Sequence, residues 1–398
     1  MLRKLHRRVK RLPEYIYLRN LLTLPPYPGV RLTPKRKTNL WLSRIEGMLG
    51  RSKLRSLPIR LTVEAANACN LSCPACFTGL GETNGRRKSL MTLELYRRLL
   101  GELGDYLFEM EFYSWGEPLL SKFIFEMIGD ATARGISTTI SSNFSIPFDA
   151  DKAERLVKSG LHRLGVSLDG ATQERYEIYR RKGNIETVLR NCRLVAEAKK
   201  KLGSATPHMI WEFHVFKHNV EDIELAKQLA AEIGMDIAVS KGWQTGEEWD
   251  NGGQYKFFWD AIPFPCLFLW HYGVVNTDGG IAPCCGSFYQ EDDMGRLAIA
   301  PGELGAATFR EVWNGERFQT ARRLFTSRTG PREVQKSICY SCPVTTTWER
   351  WRNHRLIGKH PSDFQVGYSE NDTWNYFWSR RDAANRPTLP GPDRFSAG

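Results

Sequence analysis

No apolar run in the 398 residues approaches the roughly eighteen that a membrane span needs. No secretory signal with a cleavage site is apparent either. Negative charge is scarce at the start: in residues 1–60 only Glu14 and Glu46 stand against sixteen Lys and Arg, net +14. The whole chain carries +12, so the other 338 residues sum to −2. Basic character therefore belongs to one segment. Base-reading and stacking modules are lacking, which speaks against nucleic acid as a partner. Near Cys76 there is no second cysteine knuckle or histidine pair, as a closed structural zinc site needs, and no cysteine follows Cys342.

What is present is a chain with 41% hydrophobic and 12% aromatic residues, enough for a packed core and two or three domains. The alternating run Ile59–Ala65 leads into Cys69-Asn-Leu-Ser-Cys73-Pro-Ala-Cys76. A strand feeding such a loop puts three thiolates at one mouth of a sheet. A [4Fe–4S] cluster normally takes four cysteines, so three leave one iron open to a substrate or cofactor. Zinc wants a fourth ligand, and a disulfide leaves one thiol over. Cysteines kept reduced for iron point to a cytoplasmic setting.

From about residue 58 to 240 strand-like and helix-like stretches alternate. Strands are predicted at 59–65, 108–114, 136–141, 161–168, 209–216 and 236–240, and helices at 93–103, 122–134, 152–159, 185–202 and 220–233. Six strands with helices between them predict an α/β fold with a parallel sheet, a partial (β/α)6 TIM-like barrel, with its site at the strands' carboxyl ends. Ahead of it, Leu2, Leu5, Val9 and Leu12 recur at helical spacing among basic residues, and 40–54 reads as a second short helix after the break at 23–29. Three readings of this basic segment stay open: packing on the barrel, an anionic membrane surface, or an acidic partner. The organisation read is a basic helical extension over 1–57, the barrel over 58–240, a cysteine domain over 241–350 and an aromatic, Arg-rich tail over 351–398.

The C-x3-C-x2-C loop after the first strand resembles that of the radical S-adenosylmethionine (SAM) superfamily, although Ala75 stands where the family often has an aromatic residue. The resemblance implies that Cys69, Cys73 and Cys76 hold a [4Fe–4S] cluster whose open iron binds SAM. In that family, reductive cleavage gives a 5′-deoxyadenosyl radical that takes a hydrogen atom from the substrate. Electrons come from a partner such as flavodoxin or ferredoxin.

After the second strand, Gly116 allows a tight turn, and Glu117 brings a carboxylate to the mouth where it can accept from an ammonium. Gly116-Glu117-Pro118 is similar to the family element that binds the SAM amine. By the same resemblance Ser141 and Asn143 lie near the SAM ribose, and Ser167 with Arg180 holds its carboxylate; guanidinium suits that task. Arg181 is the neighbouring alternative. On the fifth strand alternation puts Trp211, Phe213 and Val215 on one face and Glu212, His214 and Phe216 on the other. Glu212 and His214 are thus candidate substrate contacts or proton acceptors, or else a polar pair bonded to neighbouring strands, and Lys241 is similarly placed.

Four more cysteines follow: Cys266, Cys284, Cys339 and Cys342. A hairpin over 272–283 turning at Asp278-Gly279, then a helix around 309–325, brings them together. Four cysteines fit either a second [4Fe–4S] cluster or zinc. The C-x12-G-x4-C spacing with a later C-x2-C resembles the front half of the SPASM extension, a one-cluster "twitch" domain, which implies an auxiliary [4Fe–4S] cluster. Cys192 reads as a buried apolar residue; Cys285 reads as packing, an alternative ligand, or a hydrogen donor of the kind some radical SAM epimerases use. The expected reaction is oxidation of a small polar or sugar-like alcohol, the electron returning to the auxiliary cluster. Radical crosslinking or epimerisation of a peptide is the alternative, and a non-enzymatic iron–sulfur carrier is a third.

Overall fold

In the computed structural model, the described residues are 27–74, 76–82, 84–242, 266, 268–299, 305, 306, 308–325, 338–340 and 342. The expectations for 1–26, 243–260 and the tail lie outside them. Among the described residues no helix is long and apolar enough to cross a membrane.

Six strands, β1 (Arg60–Val63), β2 (Glu109–Glu111), β3 (Ser137–Ser142), β4 (Arg163–Ser167), β5 (His208–Val215) and β6 (Asp236–Lys241), pair in parallel in sequence order. Each crossover carries a helix: α2 (Leu93–Leu103), α3 (Ile124–Ala133), α4 (Ala150–Lys158), α5 (Gln173–Tyr179) with α6 (Ile185–Lys201), and α7 (Ile223–Ile233). Side-chain oxygens of Thr92, Asp149, Thr172 and Asn184 cap α2, α4, α5 and α6, satisfying amides that the first turn leaves free. Leu61, Val63, Met110, Ile140, Leu164, Val166, Trp211 and Phe213 pack into the core with the helices. The opposite face carries Arg60, Thr62, Glu109, Glu111, Thr139, Ser141, Ser167 and Glu212, so the inside of the barrel is polar.

The six-stranded expectation is extended at the β1 edge. β7 (Tyr272–Val275) lies parallel to β1, and β8 (Gly280–Ala282) and β9 (Gly295–Arg296) continue antiparallel, giving nine strands in the order β6-β5-β4-β3-β2-β1-β7-β8-β9. The β7–β8 hairpin turns at Asp278-Gly279, where Gly279 has φ +81°, a left-handed conformation that glycine adopts without strain.

Three expectations shift. The helix placed at 40–54 is α1 (Pro34–Met48), started by the Thr33 cap and Pro34 and followed by Gly50 at φ +58°. Seven-residue α5 was not anticipated. The helix around 309–325 is two, α9 (Phe309–Trp313) and α10 (Glu316–Arg323), split at Asn314-Gly315; α8 (Phe268–His271) precedes β7. Buried Arg36 of α1 donates to the carbonyls of Arg31, Gly104, Arg134 and Gly135 at 2.6–3.0 Å. It thereby ties together the carboxyl ends of α2 and α3, where carbonyls lack helical partners.

Candidate active site

Beyond β1 the chain turns through Ala66–Ala68 into the cysteine loop. Cys73 is buried with Leu71, Tyr179 and Phe216, and Cys69 and Cys76 pack against the same group. Each thiol is an electrostatic neighbour of another of the three. Burial pushes Cys69 and Cys73 up to about 11, so both are thiols unless a cation stabilises the thiolate. Three neighbouring sulfurs on one loop, Cys73 buried and Cys69 and Cys76 half-buried, fit an iron–sulfur cluster. Among the described residues no three His, Cys, Asp or Glu side chains gather tightly enough for a single metal ion, but in a cluster each sulfur has its own iron. Loop geometry supports the fit: a Cβ at Gly79 would lie 2.5 Å from the Cys73 amide and carbonyl. The Asn143 amide donates to the Cys69 sulfur at 3.6 Å, and the Leu71 N–H at 3.4 Å. Thus Asn143, expected near a ribose, turns its side chain to the Cys69 sulfur.

The Gly116 turn presses on this loop: a Cβ there would be 2.0 Å from the Ala66 carbonyl, and the Glu117 N–H donates to Ala68 O at 2.8 Å. Glu117 needs correction. Its carboxylate is not displayed at the mouth but buried, accepting from Leu119 N, Ser142 Oγ and Asn143 N at 2.7–3.0 Å. Both oxygens are thereby committed to joining the β2 and β3 ends. Pro118 opens the short 3-10 turn that follows. What this stretch still offers a ligand is its backbone.

Inside the barrel, Glu212 Oε2 accepts from Ser141 Oγ at 2.7 Å and Ser167 Oγ at 3.3 Å. Gly165 makes the room, since a Cβ there would be 2.3 Å from Oε1. Hence Ser141, Ser167 and Glu212 come together, from three strands. Asp169, to which the sequence reading gave no role, is a junction. Its Oδ2 accepts from Arg180 Nε at 2.6 Å, while Oδ1 meets His214 Nδ1 at 2.9 Å and the His214 N–H at 2.8 Å. Burial alone would raise Asp169, but the Arg180 guanidinium and His214 outweigh it and hold the carboxyl down to about 2. Arg180 in turn lies beside Cys73. Lys241 continues β6 opposite Val215; its side chain lies outside the described residues.

Lower in the barrel sits a network that motif reading missed. Arg60 pairs with Glu109 at 2.7 Å, with Glu111 and with the Tyr272 hydroxyl, and Thr62 donates to Glu111 at 2.9 Å. Burial, then the nearby Glu111 charge, lift Glu109 to about 7 despite Arg60. Only strand register joins these residues, so local sequence carried no signal.

The second thiol set lies along the same sheet edge. Cys266, Cys284 and Cys342 are electrostatic neighbours, and burial raises the first two. Cys339 packs on the apolar group of Phe77, Phe288, Tyr289 and Ile338. That group spans the two sets: Phe77 follows Cys76 and lies 5.0 Å from Phe288 and 5.3 Å from Trp115 between ring centres, and Trp115 Nε1 donates to Ser287 O at 3.1 Å. Cys285 has Cys284, Glu111 and Arg60 as electrostatic neighbours. A buried ion-pair group fixes the arrangement, Arg86 holding Asp293 at 2.6 Å and Asp278 at 2.9 Å.

Residues 63–229 match the model of the radical SAM superfamily, and residues 266–343 that of an iron–sulfur cluster-binding domain. The chain is 28% identical over 155 residues to Fe-coproporphyrin III synthase of Methanosarcina barkeri, covering 39% of this chain and 36% of that protein. It is 27% identical to mycofactocin maturase MftC of Mycolicibacterium smegmatis, covering 49% and 48%. The chain spans about half or less of the length of these curated relatives. Streptococcus suis SuiB bound to S-adenosylmethionine shares the fold, with a TM-score of 0.54 and 13% identity over 91% of this chain and 86% of that one.

Proposed function

We propose, on the premise that the chain belongs to the radical SAM superfamily and carries an iron–sulfur cluster-binding domain after its barrel, that it oxidises a small polar, sugar-like alcohol to the carbonyl. S-adenosylmethionine and its [4Fe–4S] cluster supply a hydrogen-abstracting radical when bound, and an auxiliary cluster supplies an electron acceptor. Cys69, Cys73 and Cys76 hold the first cluster; Cys266, Cys284, Cys339 and Cys342 hold the second. The backbone of Gly116–Pro118, Ser167 and the guanidinium of Arg180 left over from its Nε bond to Asp169 hold SAM. A flavodoxin- or ferredoxin-like protein delivers electrons.

The observation that carries this reading is the pair His214–Asp169 beside Glu212 on the inner face of β5. With Nδ1–H donating to an ionised Asp169, the imidazole lone pair is at Nε2, ready to take a hydroxyl proton. Glu212, held by two serine hydroxyls, accepts a substrate O–H or N–H and sets its orientation.

A second reading, radical modification of a peptide, is favoured by Cys285, an electrostatic neighbour of Glu111 and Arg60 in the barrel interior. One SuiB structure is described as bound to precursor peptide SuiA. Turnover of polyol and aminopolyol panels in D2O by the reconstituted enzyme separates the two. Oxidation gives a product two hydrogens lighter, one 5′-deoxyadenosine per product and no deuterium on carbon. A redox-neutral product carrying solvent deuterium on carbon contradicts oxidation and supports Cys285 as donor.

A further inference from the structure

We propose that the outer face of α1 docks the protein on an anionic lipid surface. The inner face of the helix is committed: Arg36 to four carbonyls, Asn39 to Leu57 in both directions at 2.9 Å, and Ser43 to the Trp270 carbonyl. Its rotation is therefore fixed, and one stripe must face outward. That stripe contains half-buried Trp41, then Ile45 at 43%, Met48 at 45% and Leu49 at 60% exposure. The spacing i, i+4, i+7, i+8 is one helical face. Leu32, Ile45, Met48 and Leu49 are four of the eight exposed large hydrophobics among the described residues, a concentration beyond the single scattered residues of an ordinary surface.

Charge selects the occupant. Arg31, Lys37, Arg51, Lys53 and Arg55 are exposed around the stripe, and Arg44 lies 5.6 Å from the Trp41 ring centre. The one carboxylate in residues 27–56 is Glu46, which is buried and accepts from Arg55 N, Ser56 N and Ser56 Oγ. Residues 27–56 thus show cations and apolar side chains with no exposed acid among them, and exposed Asp105, beside the start of α1, is paired with Lys35 at 2.8 Å. Such a face suits lipid phosphates above and acyl chains below. The chain's own ends are poor substitutes: residues 1–26 carry seven Lys and Arg against Glu14, and residues 343–398 eight against six acids. Like charge disfavours both.

The test is co-sedimentation of the full-length, cluster-loaded protein with phosphatidylcholine vesicles, with and without about one quarter phosphatidylglycerol. Binding is expected only with the anionic lipid and weakened by salt. Met48→Glu/Leu49→Glu should weaken it roughly tenfold or more, and Lys53→Gln/Arg55→Gln less, with 5′-deoxyadenosine formation and thermal stability unchanged in both. Equal binding to neutral vesicles, no binding at all, or an unaffected Met48→Glu/Leu49→Glu variant overturns the proposal. So does loss of stability in that variant without vesicle binding by the wild type, which would assign the stripe to packing within the protein.

Discussion

His214 is held by Asp169 through Nδ1 and the backbone N–H, and the Arg180 guanidinium beside Asp169 keeps its carboxyl low. Replacing His214 by Ala should lower product formation about 10²–10⁴-fold, with SAM cleavage retained; loss of both activities together would make it a structural residue. Glu64 lends itself to a pH test. Burial lifts it from 4.5 to about 7, against partial opposition from the Thr277 N–H and Arg86. An acid whose folded value is raised keeps its proton in the native state longer than in the unfolded one. Its contribution to folding is therefore unpenalised below the unfolded value, falls as pH rises towards about 7, and stays low above it. Glu64→Gln should accordingly raise the melting temperature at about pH 8 and leave it nearly unchanged at about pH 4. A shift of the same size at both would contradict this. At this scale the sequence was partly legible. Alternation placed Glu212 on the inner face because a strand has period two, whereas the direction of the Glu117 carboxylate depended on amides from β3, which no local motif contains.

Among elements, the tie between the cysteine loop and the β7–β8 hairpin depends on Arg86, whose guanidinium is almost wholly buried between Asp278 and Asp293. Arg86→Met leaves enclosed Asp293 without its cation and Asp278 with Arg296 alone, at 3.1 Å, and should cost roughly 3–5 kcal/mol, read from denaturant unfolding; a loss under about 1 kcal/mol would place the group in the solvent-screened class. Gly116→Ala drives a methyl into the Ala66 carbonyl at 2.0 Å, so SAM cleavage should fall even where iron content is kept. Unaltered cleavage would show that the turn is free to move. The long crossover helices were legible because apolar periodicity and cap residues agree on them. Short α5 was not, since seven residues hold too few turns to show a period, and α1 was misplaced because Thr33-Pro34 outweighed the apolar run after it.

Over the whole molecule, the parallel order of the first six strands could be read from their alternation with helices. The attachment of β7 to β1 could not: Arg60 and Tyr272 are register partners yet far apart in sequence, and nothing local records such a pairing. That edge-on addition sets the two thiol groups along one sheet, with Phe77 and Phe288 packed between. Reconstituted protein should hold about eight irons per chain, and Cys266→Ala/Cys284→Ala about four; an unchanged count would deny the second cluster. The reading rests most on the first thiol group, and the most direct measurement is 5′-deoxyadenosine released from SAM by anaerobically reconstituted protein under a strong reductant. Release by the wild type and none by Cys69→Ala/Cys73→Ala/Cys76→Ala is the predicted result. No release from an iron-loaded wild type, or equal release from the triple variant, would contradict it.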